Sequence, residues 1–142
     1  MSIRILIVED HPITRLGLRV VLEEHDGFIV VGESGDGLDA LRQVEELKPD
    51  VVLMDLGLPG LDGFECTSKL KTGSIPVRVV IHSSHEEEAA VKAALSSGAD
   101  GYCFKDSNDD LLINAIKTVV SGVPWLDPRI PEHLHQYHQF QK

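Results

Sequence analysis

Five short apolar runs recur along the chain: Ile3 to Val8, Phe28 to Val31, Val51 to Met54, Val77 to Ile81 and Gly101 to Phe104. Each has the length of a strand, and continuous apolar runs bounded by polar or glycine positions suit strands covered on both faces of a parallel sheet. The segments between them have helical spacing. Ile13, Leu16, Val20 and Val21 come after Pro12, whose missing N–H costs little in a first turn. Ala40, Leu41, Val44 and Leu47 mark a second helix over 39–47 that Pro49 stops, and a third begins near Asp62 and runs through Phe64 and Leu70. The stretch from Glu86 to Ser97 is alanine-rich, carries acids in its first turn and ends at Gly98. Ser107 reads as the cap of a fifth helix with Leu111, Leu112, Ala115, Ile116 and Val119 on one face. Strand and helix thus alternate five times, which predicts an α/β domain: a doubly wound sheet of five parallel strands with five helices over its two faces.

Ligands of such sheets gather outside the carboxyl ends of the strands, where the strand order reverses. Glu9 and Asp10 come after the first strand, Asp55 closes the third, Ser83 closes the fourth and Lys105 comes after the fifth. Singly, each has a plain explanation as a loop acid, a helix cap, a solvated serine or a surface lysine. Jointly they form a constellation drawn from four separate segments. Three carboxylates brought together repel one another, so the site needs protonation or a cation. Mg²⁺ favours oxygen ligands and is typically held by one or two carboxylates plus phosphate oxygens. Glu9, Asp10 and Asp55, with a backbone carbonyl near Gly57, are the candidate half-cage. An ionised carboxylate can also accept a phosphoryl group as an acyl phosphate. Asp55 is the candidate acceptor, Lys105 the candidate countercharge for the transferred oxygens, and Ser83 a hydrogen-bond donor to the phosphate.

Composition narrows the classes. A chain of 142 residues, 42% hydrophobic and 25% charged, suits one packed domain. A formal charge of −10 with no basic cluster argues against direct nucleic-acid binding. Cys66 and Cys103 lack any metal-binding spacing and read as reduced thiols. With no cleavage signal after Met1 and no apolar stretch approaching the ~20 residues of a membrane span, a cytoplasmic protein without membrane contact is expected.

Three segments carry a family resemblance: Ile5 to His11, Val51 to Leu56 continuing through Pro59 to Gly63, and Gly98 to Lys105. Over about residues 3 to 121 they resemble the receiver domains of two-component response regulators. The finer likeness, through Gly98 to Tyr102 and Trp125 to Ile130, is to the NarL/FixJ type of transcription regulator. The resemblance implies a flavodoxin-like receiver fold with strand order 2-1-3-4-5. It also implies phosphorylation of Asp55 by a histidine kinase or phosphotransfer protein, with Mg²⁺ on Glu9, Asp10, Asp55 and the Gly57 carbonyl. A switch through Ser83 and Tyr102 is implied as well, with possible homodimers through the fourth helix, fifth strand and fifth helix or another helical face. Its chemistry would be limited to accepting and losing the phosphoryl group. His85, two residues beyond Ser83, is a candidate for tuning dephosphorylation. Departures from the broad pattern are Asp106 after Lys105, where many receivers have proline, His82 in place of an aliphatic residue, and serine rather than threonine at 83.

The organisation expected is a receiver over 1–122 and a linker or C-terminal tail over 123–142, with the helix-turn-helix output domain of the longer regulators absent. His133, His135 and His138 in that tail make a weak metal pattern, only one pair having i, i+3 spacing. Three other functions compete. A flavin carrier needs a glycine-rich phosphate loop where Glu9 to Pro12 stand. An aspartate-nucleophile phosphatase needs a second acid where Gly57 stands. A stand-alone or phosphate-independent receiver acting as an interaction module would leave the acceptor set unused.

Overall fold

The computed structural model describes residues 2–139. The strands are β1 (Ile3–Val8), β2 (Phe28–Ser34), β3 (Val51–Met54), β4 (Arg78–Ser83), β5 (Gly101–Phe104) and β6 (Trp125–Leu126). The helices are α1 (Pro12–Glu23), α2 (Gly37–Leu47), α3 (Gly63–Thr72), α4 (Glu88–Ser96), α5 (Asp109–Val120) and a short α6 (Gln136–Gln139). All strand pairs are parallel and the order is β2-β1-β3-β4-β5-β6. The expected five-stranded order is present, extended at one edge by β6.

Alternation along the strands splits the core in two. Leu6, Val8, Val52, Met54, Val79, Ile81 and Tyr102 face one side with Ala40, Val44, Cys66, Leu70, Val91 and Leu95. Ile5, Ile7, Val51, Leu53, Val80 and Cys103 face the other with Leu18, Leu22, Leu112, Ala115, Ile116 and Val119. Both cysteines are free and buried, and burial pushes each thiol up to about 12. Among the described residues no helix is long and apolar enough to cross a membrane.

Three expectations need correction. Of the apolar set of the first helix only Val21 is half-buried, and the other three turn outward: Ile13 is 86% exposed, Leu16 61% and Val20 50%. At 100° per residue that set lies nearly opposite Leu18 and Leu22, which dock α1 on the sheet. A period marks an apolar face without saying which of two is inward. The fifth helix is capped by Asn108, whose side chain accepts from the Leu111 N–H at 3.0 Å, not by Ser107. β4 ends at Ser83, as expected, and α4 starts at Glu88, two residues later than expected.

The segment beyond α5 packs against the domain. β6 pairs with β5 through Gly101 opposite Trp125 and Tyr102 opposite Leu126. Ile130 and Leu134 are buried in the α4 side of the core. His133 pairs with Glu88 at 2.9 Å, and Lys92 stands 4.8 Å over the Tyr137 ring.

Two glycines fix the loops that frame the strand ends. A Cβ on Gly37 would lie 1.8 Å from the Leu61 carbonyl oxygen, and one on Gly63 would lie 2.2 Å from the carbonyl oxygen of Asp55. Backbone therefore packs directly on backbone behind Asp55. Gly63→Ala is expected to destabilise the fold by about 2–4 kcal/mol, because backbone and not a flexible side chain must yield. Urea unfolding measures this, and a loss below about 0.5 kcal/mol would show that the loop has slack.

Candidate functional site

The site is placed by backbone hydrogen bonds that carry the sheet one residue past its strands. The Glu9 N–H donates to the Ser34 carbonyl at 2.9 Å, the Asp55 N–H to that of Val8 at 2.9 Å, and the Lys105 N–H to that of Ser83 at 2.8 Å. Side chains leaving β1, β3 and β5 are thereby brought to one edge, beside the β1/β3 junction where the strand order reverses. Asp36 caps α2, accepting from Leu38 and Asp39, and Asp62 caps α3, accepting from Glu65 at 2.9 Å. These caps anchor the loops on either side of the acids.

Glu9, Asp10, His11 and Asp55 each offer a ligand atom, all within 4.8 Å of one another. Lys105 Nζ lies 2.7 Å from Glu9 Oε1 and 3.3 Å from Asp55 Oδ1. The contact with Glu9 is an ion pair without hydrogen-bond angles, for among the described residues Oε1 has no hydrogen-bond partner, and neither has the buried Asp10 Oδ1. His11 supports the other Glu9 oxygen, Oε2, with its N–H and with Nδ1, both at 3.0 Å. Arg15 donates to the Glu9 carbonyl at 2.6 Å.

Burial alone would raise the Glu9 carboxyl, but Lys105 and His11 outweigh it and hold Glu9 below the usual carboxylate range. At Asp55 the balance reverses: burial, then the charge of Glu9, push the carboxyl up despite Lys105. Burial opposes the Lys105 charge, and Glu9 and Asp55 more than restore it. One ammonium therefore serves two buried acids, and a second cation would relieve Asp55. The three carboxylates offer hard oxygen donors, which fits Mg²⁺, and His11 Nδ1 stands 3.2 Å from Asp10 Oδ1 among them.

Ser83 is buried at the end of β4, and its Oγ accepts from the His85 N–H at 2.9 Å. Tyr102 is already inside: its ring is buried and its hydroxyl donates to the His85 carbonyl at 2.7 Å. The inward place into which a Tyr102 switch would rotate is thus filled in this conformation. The His85 ring is turned toward Glu87, with Nδ1 3.0 Å from its carboxylate. Gly57 is exposed, and a Cβ there would meet nothing within 4 Å.

Sequence reasoning missed His11, which lies in the first motif but drew no role. The usable signal was its place two residues after Glu9, at a helix start where Pro12 leaves the preceding side chain free for the acids. The tail histidines are not gathered: His133 is engaged with Glu88, and among the described residues the grouped ligands are Glu9, Asp10, His11 and Asp55.

Residues 5–117 match the family of response regulator receiver domains. Response regulator GacA of Pseudomonas viridiflava is 38% identical over 132 residues, covering 93% of this chain and 62% of that protein. The nitrate/nitrite response regulator protein NarP of Escherichia coli is 33% identical over 137 residues, covering 96% of this chain and 64% of that protein. The chain thus spans less than two thirds of the length of these relatives. A LuxR-family two-component response regulator from Aurantimonas sp. SI85-9A1 superposes with a TM-score of 0.86 at 34% identity, covering 99% of this chain and 98% of that one.

His82 departs from the apolar surroundings of β4. It is buried, its Nδ1 has no hydrogen-bond partner among the described residues, and burial, then the charge of Lys105, lower its imidazole to about 4. An unfolded imidazole titrates near 6.5, so the unfolded chain binds the extra proton first, and the stability due to neutral His82 is lost as pH falls from 6.5 toward 4. Between pH 7 and pH 5 this removes about 2 kcal/mol from the wild type. His82→Leu is expected to lack that slope while keeping the remaining histidine terms. Urea unfolding at the two pH values compares them, and parallel slopes would assign the acid loss elsewhere.

Proposed function

Since the chain belongs to the response regulator receiver domain family, we propose that Asp55 is its phosphoryl acceptor and that Glu9, Asp10, Ser83 and Lys105 complete the acceptor site. The observation that carries this reading is the convergence of Lys105 on Glu9 and Asp55, at 2.7 and 3.3 Å, within a cluster of ligand atoms no more than 4.8 Å apart. Glu9, Asp10 and Asp55, with the Gly57 carbonyl, would hold Mg²⁺, which supplies charge to neutralise phosphoryl oxygens.

An Asp55 carboxylate oxygen attacks phosphorus in line as the bond to the donor's leaving nitrogen or oxygen breaks, and the donor keeps that electron pair. The Lys105 ammonium turns from Asp55 to the new phosphoryl oxygens. The Ser83 hydroxyl donates to one of them, giving up its present tie to the His85 N–H. Since the His85 carbonyl also holds the Tyr102 hydroxyl, movement at Ser83 is transmitted to the 84–87 loop and the start of α4. The phosphate shifts the population of two forms only as far as it interacts differently with them.

The donor is a histidine kinase or phosphotransfer protein, and the exposed Ile13, Leu16 and Val20 beside the acids give it apolar contact area. Control of a DNA-binding output domain in a longer cytoplasmic regulator is supported by relatives such as the transcriptional regulatory protein DegU of Brevibacillus brevis, of which this chain matches 56%. A homodimer through α4, β5 and α5 would meet β6 and the docked tail on that face, so α1 is the more open alternative.

Incubation with acetyl phosphate and Mg²⁺ is expected to add one phosphoryl group to the wild type by mass, none to Asp55→Asn, and none when Mg²⁺ is chelated. A wild type that stays unlabelled, or label persisting in Asp55→Asn, would overturn the reading. His85→Ala is expected to change the phosphoryl half-life about threefold, because the ring, here turned toward Glu87, would swing to flank the path of attacking water. Phosphate release over time measures it, and an unchanged half-life retires that role.

A further inference from the structure

The tail grips the loop that carries Lys105. Asp127 is only 1% exposed, a charged residue under a surface that Ile130 and Leu134 could anchor by apolar contact alone. Its Oδ2 accepts from the Phe104 N–H at 3.1 Å and from the Ser107 hydroxyl at 2.5 Å. Its Oδ1 accepts from the Arg129 N–H at 3.1 Å, and its own N–H donates to the Tyr102 carbonyl at 2.9 Å. Arg129 pairs with Asp106, reaches Ser107 Oγ at 3.2 Å and stacks 4.6 Å over the Phe104 ring. Of residues 104–107, three are held by Asp127 or Arg129, and the fourth, Lys105, points to Glu9 and Asp55.

We propose that Asp127, backed by Arg129, is a positioning residue for Lys105, so that the tail forms part of the phosphoacceptor machinery. The inference rests on Asp55 being the acceptor and Lys105 its countercharge. A lysine stem has four rotatable bonds, so the aim of its ammonium depends on a fixed backbone at both flanks. Phe104 is fixed on one side and Ser107 on the other by the same carboxylate oxygen. Where tail docking also stabilises the phosphorylated form at equilibrium, phosphorylation favours docking by the same factor. Trp125, the one tryptophan in the chain, lies in β6 two residues before Asp127 and reports on that docking.

The test uses the full chain with acetyl phosphate and Mg²⁺, following labelling rate against acetyl phosphate concentration, and amide hydrogen exchange. Asp127→Ala is expected to lower the saturating rate about tenfold with half-saturation changed less than about twofold, the pattern of a lost transition-state contact. Asp127→Asn, which keeps an acceptor oxygen, should recover to within about threefold of wild type. Amides of 104–107 should exchange about tenfold faster in Asp127→Ala while those of β3 keep their protection. Wild-type Trp125 emission should shift on phosphorylation and do so less in Asp127→Ala. A wild-type labelling rate with unchanged loop exchange overturns the proposal, as does a rate loss accompanied by uniformly faster exchange across the sheet. If Asp127→Ala does not fold, Arg129→Ala decides: a loss of about threefold with faster loop exchange supports the proposal, and wild-type behaviour overturns it. An unlabelled wild type counts against Asp55 as acceptor alone, and loop exchange in the variants still decides the role of Asp127.

Discussion

Lys105 stands where two buried carboxylates would otherwise repel each other, 2.7 Å from Glu9 and 3.3 Å from Asp55. Taking an ammonium and two carboxylates out of water is costly, and their mutual attraction offsets that only when the geometry is fixed. Everything around the site serves that fixing. The β3 and β5 backbone ladders extend one residue to hold Asp55 and Lys105 by their own amides. Gly63 lets α3 rest directly on the Asp55 carbonyl, and His11 and Arg15 brace Glu9 from α1.

The charges of the site are unequally settled. Glu9 is held ionised, while Asp55 is pushed toward protonation by burial and by Glu9. A protonated acid is a poor nucleophile, so the same crowding that makes a cation welcome would, under the proposed function, also make acceptance depend on one. Ser83 and Tyr102 are both tied to His85, at its N–H and its carbonyl, which links the end of β4 to the loop that leads into α4.

Much of this was legible in the sequence because apolar runs mark parallel strands, and the polar residues at the carboxyl end of each run mark the chemistry. Glu9, Asp10, Asp55, Ser83 and Lys105 were found that way, and the structure brings them to one edge. The failures had physical reasons. The face of α1 was misassigned because that helix is apolar on two sides, and only packing decides between Leu18 with Leu22 and Ile13 with Leu16. Ser107 resembled a cap because Ser and Asn both cap helices, and its hydroxyl is instead claimed by Asp127. Contacts between residues 20 or more apart in sequence, such as Ser107 with Asp127, leave no local pattern. The tail therefore read as a linker although Ile130 and Leu134 are buried.

The outward ridge of α1 bears on the protein's behaviour in bulk. Ile13, Leu16 and Val20 offer every molecule in solution an adhesive strip, and the formal charge of −10 keeps molecules apart by long-range repulsion. Added electrolyte shortens that repulsion to about 8 Å at physiological ionic strength while leaving the adhesion intact. Ionic strength thus governs how often two ridges meet, and the colloidal state of a concentrated sample is set by salt as much as by concentration.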